Sequence, residues 1–444
     1  MRTDLISLFG RKPAPKLDHY QLPEILSRYL ELVTANTDAR PGLLLTAFLP
    51  FCAVNLGNRA HMVSNSTRVY PNIWSCVVGP SSVSRKSTAL RFAGYTLKPH
   101  EEALLDAPLD QFEQETLVLN GTTLSKLISY LAENPARLFV HNELATWLSD
   151  MQKNYNGGYR ESVTGIFDNI DLVFANRERT ERLRCPALSV AAASTEGWLY
   201  QNMARDADQL SGFLQRMLFY VVGNVSLAEI DLSTRIGEGL EEDLALFDAR
   251  WFCHWRRIPP GNRLRLSEES IEWRDALYQT EYKKHFGRAN DALMSYFTRI
   301  FDGYFFKFCA LIALSLVTPP EWRAAEATGD YDSLFAAHAV DTDTASMAWS
   351  LCVFYMENVS PLLAMMEEKD KLAGERKVVE ALLNKFGGKA KHSELMNSCH
   401  MRKREFSEVI ASLIDREAVT VESYGQYRHV GKMYILSQEI IDSW

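Results

Sequence analysis

The chain has 444 residues, enough for two or three domains, and its hydrophobic fraction of 47% is enough to fill their cores. The formal net charge of -8 excludes a uniformly basic nucleic-acid coat, so any DNA contact has to be local. The seven cysteines, at 52, 76, 185, 253, 309, 352 and 399, include no C-x-x-C pair; this argues against a zinc site or disulfide framework and for small buried thiols in a reducing compartment.

In chain order, residues 1–18 read as a mobile arm without the apolar core of a signal peptide. Residues 22–33 (LPEILSRYLELV) form an amphipathic helix with Pro at an early position. Residues 42–56 are apolar almost all round and predict a buried helix interrupted or kinked at Pro50. A polar, hairpin-like connector leads to IWSCVVGPSSVSRKSTAL, residues 73–90. Here a short apolar strand stops at Gly79-Pro80, passes through small residues to Arg85-Lys86-Ser87-Thr88, and starts a helix. Strand, small-residue loop, Lys-Ser/Thr and helix is the layout of a P-loop, in which backbone N–H groups at a helix start cradle phosphates. The candidate nucleotide-binding residues are Gly79, Pro80, Ser81, Ser82, Val83, Ser84, Arg85, Lys86, Ser87 and Thr88. Lys86 is placed to reach the β and γ oxygens and Ser87 to bind Mg²⁺. The usual pattern has Gly directly before the Lys and another six residues before it. Arg85 and Pro80 stand there instead, and Gly79 comes one residue early.

Beyond this loop, residues 90–105 and 122–133 predict helices, the second capped by a Thr and ended by Pro135. Residues 138–140 form a short apolar strand running into His141-Asn142-Glu143. An apolar strand ending in an acid downstream of a P-loop is the Walker B position. Glu143 is the candidate base for the attacking water, and Asn142, where Asp is usual, orients a Mg²⁺-bound water without adding charge. Residues 144–158 hold a helix and then an exposed YNGGY, and another helix starts at 162. Residues 176–184 (NRERTERLR) read as a charged hairpin facing solvent or nucleic acid. Residues 187–193 form a third buried strand ending at Ser194 and Thr195, the sensor position of RecA-like and AAA+ ATPases. In SGFLQRMLF, Arg216 is a lone cation among apolar residues. It suits either a structural ion pair or an arginine finger offered to a neighbouring subunit, with Arg205 as a competitor.

These stretches, PNIWSCVVGPSSVSRKSTAL, RLFVHNELATWL, CPALSVAAASTEGWL and SGFLQRMLF, resemble in order and spacing a P-loop family of prophage, plasmid and genomic-island proteins described as primase- or helicase-associated. The resemblance covers roughly residues 20–225, and more loosely the chain to about 365. It implies a RecA-like core related to hexameric replicative helicases, with Lys86, Ser87, Glu143 and Arg216 forming the ATPase site.

Residues 226–370 predict an all-helical subdomain, with helices over 267–286, 291–316 and 344–366. Its longest apolar stretch, 305–317, is too short to span a bilayer. Arg299 is the one candidate there for a further phosphate contact. The tail, 371–444, reads as helices over 374–386, 391–399 and 402–416 and then two strands, the plan of a winged helix-turn-helix. Its 12 Lys and Arg against 10 Asp and Glu leave it mildly basic. Lys391, Arg402, Lys403, Arg404 and Arg428, with His429 on the wing, are the candidate DNA contacts.

The expected architecture is therefore α/β: an N-terminal helical segment (1–65), a RecA-like P-loop ATPase core (66–225), a helical subdomain (226–370) and a C-terminal winged helix (371–444). The expected function is an ATP- and Mg²⁺-dependent DNA-binding motor or loader, helicase-like, cytoplasmic and without a membrane segment. It would act as a homo-oligomeric ring, a hexamer favoured, beside a primase or other replication protein of a mobile element. Two other readings stand beside it. One is a nucleotide-gated oligomeric switch or scaffold with little turnover, in replication or defence. The other is a winged-helix DNA-binding regulator with a vestigial P-loop.

Overall fold

Two runs that are apolar on both faces set the centre of the fold, because a parallel sheet covered by helices buries both sides of its strands. The computed structural model describes residues 17, 20–97, 117–118, 122–151, 158–175, 180–203, 212–222, 239–282, 291–424 and 431–438. The chain divides into two compact units, Met1–Leu362 and Leu363–Trp444. It is a mixed α/β protein built on a parallel sheet.

The first unit opens with helices α1 (Glu24–Thr34) and α2 (Pro41–Leu56) and a hairpin of β1 (Ala60–Ser64) and β2 (Thr67–Val69). Then come β3 (Trp74–Val78), α3 (Lys86–Tyr95), β4 (Leu117–Val118), α4 (Leu124–Glu133), β5 (Ala136–His141), α5 (Leu144–Met151) and α6 (Tyr159–Phe167). The ribbon β6 (Leu172–Ala175) and β7 (Thr180–Leu183) precedes β8 (Ala187–Ser194), α7 (Glu196–Met203) and β9 (Leu218–Val221).

The main sheet has the order β4-β5-β8-β3-β9, all parallel, so β3 lies inside it with β8 on one side and β9 on the other. All residues of β3 and β8 are buried. Helix α2 is buried along nearly its whole length and packs across β3, β5, β8 and β9, with the Ser75 hydroxyl donating to the Thr46 carbonyl at 2.7 Å. Pro50 lies inside α2 without ending it, since this helix is held by burial all round rather than by one face. Trp74, pointing the other way from Ser75, packs against Trp147, Phe167 and Phe213.

A helical layer follows. Helices α8 (Leu240–Phe247) and α9 (Cys253–Arg257) are joined by a π-helical turn, and β10 (Asn262–Arg263) pairs with β1. After α10 (Glu268–Leu277) and the π-helical turn that extends it (Tyr278–Tyr282), a further π-helical turn joins α11 (Asp291–Arg299) to α12 (Phe305–Ser315). Two short helices, α13 (Pro319–Thr328) and α14 (Tyr331–Ala337), lead to α15 (Thr342–Phe386). Asn358 on α15 accepts from the Val221 amide at 2.6 Å, so a donor on the outer strand β9 is satisfied by a side chain. The segments expected as separate pieces before residue 362 all belong to one unit, because α2 lies directly on the sheet and α12 packs on α2.

The boundary expected at 370 falls inside α15, a single helix of 45 residues. The polar run 366–374, MEEKDKLAG, reads as a break in the apolar pattern, but Met, Glu, Lys, Leu and Ala are strong helix formers and carry the helix through. In the second unit, β11 (Lys389–Lys391), α16 (His392–Cys399), α17 (Lys403–Asp415), β12 (Val419–Tyr424) and β13 (Gly431–Leu436) follow. The antiparallel sheet order is β11-β13-β12, over a core that includes Val378, Leu382, Leu395, Phe406, Val409 and Tyr434. Gly374 is required where it stands: a Cβ there would lie 2.8 Å from Val409 Cγ2. Among the described residues no single helix is long and apolar enough to cross a membrane.

Candidate phosphate-binding site

The loop 79–85 leaves the carboxyl end of β3, and α3 starts directly at Lys86, four residues earlier than the apolar pattern indicates. Gly79 is tied to the sheet by its amide, which donates to the Ser194 carbonyl at 3.1 Å. A Cβ on Gly79 would lie 2.9 Å from Val222 Cβ and 3.1 Å from Ser84 Cβ, so only glycine fits there. The Ser84 hydroxyl donates to the Pro80 carbonyl at 2.6 Å and the Val83 amide to Ser81 at 2.8 Å, which folds the loop onto itself. Ser82 and Arg85 both have positive φ, 68° and 56°. The start of α3 carries no side-chain cap, so its first amides have no side-chain acceptor at this end.

Lys86 turns back over the loop. Its Nζ donates to the Gly79 carbonyl at 2.7 Å and the Pro80 carbonyl at 3.1 Å and lies 3.4 Å from Ser84 Oγ. Burial pulls the Lys86 ammonium below its ordinary range, and the nearby Glu143 carboxylate offsets part of that. Ser81, Ser82 and Ser87 are exposed; Val83 and Thr88 are half-buried.

Strands β8 and β5 end beside this loop, because the hydrogen-bond ladder fixes β8 on β3 and β5 on β8: Val78 pairs with Ser194, and His141 with Ala192. Ser194 is fully buried, and its hydroxyl donates to Glu143 Oε1 at 2.6 Å. The sensor and Walker B positions expected from sequence thus meet directly. Glu143 is half-buried and Asn142, one residue nearer the strand, is exposed. Thr195 serves as a cap: its Oγ1 accepts from the Trp198 amide at 3.4 Å at the start of α7.

Arg216 does not join this group. It precedes β9 and therefore lies at the amino edge of the sheet, while Lys86 lies past the carboxyl edge. The Tyr304 hydroxyl reaches both the Arg216 and Trp74 carbonyls, which puts Arg216 beside the first residue of β3. The strand between the two edges is about 13 Å long. Arg216 is 8% exposed, and its guanidinium is turned inward onto both oxygens of Asp168 and the Gly212 carbonyl. The arginine-finger expectation is corrected to the structural ion pair, because a guanidinium held by its own carboxylate inside the chain is not on offer to a neighbour. Arg299 joins the same Asp168 at 3.0 Å and is likewise away from the loop. Arg205 lies outside the described residues.

No family model matches the chain, and no curated protein matches it. Asp38 and Asp168, the two acids that organise Arg85 and Arg216, carry no motif and were not read from the sequence. Asp38 lies in the α1–α2 connection, where its carboxylate takes Arg85 Nε at 2.7 Å and Nη2 at 3.2 Å.

In the second unit, four of the five candidate DNA contacts lie among the described residues; Arg428, with His429, lies outside them. Arg402, Lys403 and Arg404 are exposed at the start of α17, as expected. Arg404 pairs with Glu408 at 3.2 Å and Lys391 with Glu394 at 4.0 Å, so both are partly neutralised. Arg402 and Lys403 make no ion pair among the described residues.

Proposed function

We propose that the chain is a P-loop nucleoside triphosphatase with a RecA-like core and a C-terminal winged helix, acting as an ATP-dependent DNA-binding motor or loader in an oligomeric assembly. The observation that carries this reading is the convergence of Lys86, Ser194 and Glu143 at the carboxyl edge of neighbouring parallel strands, the edge at which open α/β sheets bind ligands. Phosphate oxygens take the place of the Gly79 and Pro80 carbonyls on Lys86, and the first amides of α3 donate to them. The exposed Ser87 hydroxyl and the Asn142 amide carbonyl are hard oxygen donors that would hold Mg²⁺. Bound there, the metal would neutralise phosphate charge. Glu143, oriented by the Ser194 hydroxyl, accepts the proton of the attacking water. The exposed basic start of α17 meets DNA.

A second reading, a nucleotide-gated switch of low turnover, is favoured by two observations: Arg216 is engaged within its own chain, and Asn142 adds no charge for a metal. Hydrolysis of ATP by the purified protein, with and without single-stranded and duplex DNA, separates the two. Turnover that rises with DNA supports the motor; binding without turnover supports the switch. Lys86→Ala is expected to abolish nucleotide binding, and unchanged ATP affinity in that variant rejects the phosphate-site reading.

A further inference from the structure

Arg85 holds a conformation that its type rarely adopts. It sits at φ 56° and ψ 26°, in the left-handed region, at the position before Lys86. A residue with a Cβ is disfavoured there by roughly five- to thirtyfold relative to its ordinary conformations, whereas glycine is not. A contact that holds the Arg85 side chain from outside the loop therefore favours the turn. Asp38 is the acid in position to do so: both its oxygens engage the Arg85 guanidinium, and its side chain is only 9% exposed, so the pair is largely shielded from solvent. Asp38 is itself placed by an ordered connection. Thr37 Oγ1 accepts from the Ala39 amide at 3.1 Å, and α2, which begins three residues after Asp38, packs on β3 and α3.

We propose that Asp38 is a positioning residue for the phosphate-binding loop: it clamps Arg85 and thereby maintains the left-handed turn that aims the start of α3. This inference rests on the reading of residues 79–88 as a nucleotide site. It makes Arg85 a tether to the α1–α2 connection and not a ligand of phosphate.

Four variants of the full chain test it, with Mg²⁺-ATP affinity read by calorimetry beside Lys86→Ala. Asp38→Asn is expected to bind about tenfold more weakly, the cost of an unsupported left-handed residue. Arg85→Ala, which loses the tether and keeps a Cβ, is expected to weaken by a similar factor. Arg85→Gly is expected to bind like the wild type, because glycine takes the turn unaided, and Asp38→Asn/Arg85→Gly is expected to recover wild-type affinity. Equal losses in Arg85→Ala and Arg85→Gly overturn the proposal. So does tighter binding by Asp38→Asn, which would mean that Arg85 is a phosphate ligand withheld by Asp38. If the wild type binds no nucleotide, the nucleotide reading fails, and the clamp is decided by hydrogen exchange of the Gly79 and 81–86 amides without ligand. Exchange is expected to quicken in Asp38→Asn and Arg85→Ala and to slow again in the double variant; unchanged exchange overturns it.

Discussion

The shortest contact among the candidate catalytic groups is the 2.6 Å hydrogen bond from Ser194 to Glu143. A fully buried hydroxyl that donates to a half-buried carboxylate fixes which oxygen faces inward and which is left for a water. Glu143→Gln is expected to retain ATP binding and to lower turnover by about 10²- to 10⁴-fold, the usual contribution of a general base. Ser194→Ala is expected to retain binding too, with a smaller loss of about tenfold, since it removes orientation and not the base. Binding isotherms set beside steady-state hydrolysis check both, and equal losses in the two variants would make Ser194 a participant in its own right. A second residue with a measurable signature is Lys307, 2% exposed, whose Nζ donates to the Tyr70 carbonyl at 3.1 Å and to Asn72. Burial lowers its pKa to about 7, with Asp168 opposing and Arg299 and Arg216 reinforcing the shift. The unfolded lysine binds its proton up to about pH 10.4, so above about pH 7 the unfolded chain holds more protons and stability rises with pH. Denaturant unfolding between pH 7 and 8.5 is expected to show this slope in the wild type and a flatter one in Lys307→Met. At higher pH the buried thiols of Cys309 and Cys352, pushed up by desolvation, act in the opposite direction.

At the scale of elements, Asp168 joins the end of α6 to the approach to β9 and to α11 through Arg216 and Arg299. Removing it takes from Arg216, Arg299 and the buried Lys307 a carboxylate that all three share, and leaves Arg299 with Asp302. Asp168→Ala is expected to cost about 3 kcal/mol of stability in a urea titration, as for other broken buried pairs, while leaving Mg²⁺-ATP affinity unchanged because the cluster is at the far edge of the sheet. This is also where sequence reading had its limit. The strands at 73–78 and 187–193 were legible because both faces are apolar, and Lys86 because its neighbours in sequence are its neighbours in the loop. Arg216 was not, because its partner is 48 residues away and a lone cation among apolar residues suits an internal pair as well as a trans contact. β11 was missed because three residues, KAK, show no period, and β4 because it has only two. The extent of α15 was missed because the apolar stripe lapses while helix propensity does not.

At the scale of the whole molecule, a net charge of -8 requires any nucleic-acid contact to be local, and the exposed cations at the start of α17 are one candidate for it. Arg402→Ala and Lys403→Ala are each expected to weaken duplex DNA binding for all sequences and to lower the slope of log K against log salt by about 1. Arg404→Ala is expected to do less, because Glu408 already holds that guanidinium. Fluorescence anisotropy at several salt concentrations measures all three, and an unchanged slope in Arg402→Ala would remove that residue from the interface. The sheet order also governs how the protein is made. β3 is the first strand of its sheet to leave the ribosome, yet it lies between β8 and β9, and its Trp74 pairs with Val190, 116 residues later. At about 5–20 residues per second of synthesis, this apolar strand waits roughly 6–23 s for its first partner. Nascent chains that stall or are truncated before residue 222 carry β3 with one or both edges open, and these are the species that chaperones must hold and that aggregate when expression outruns them.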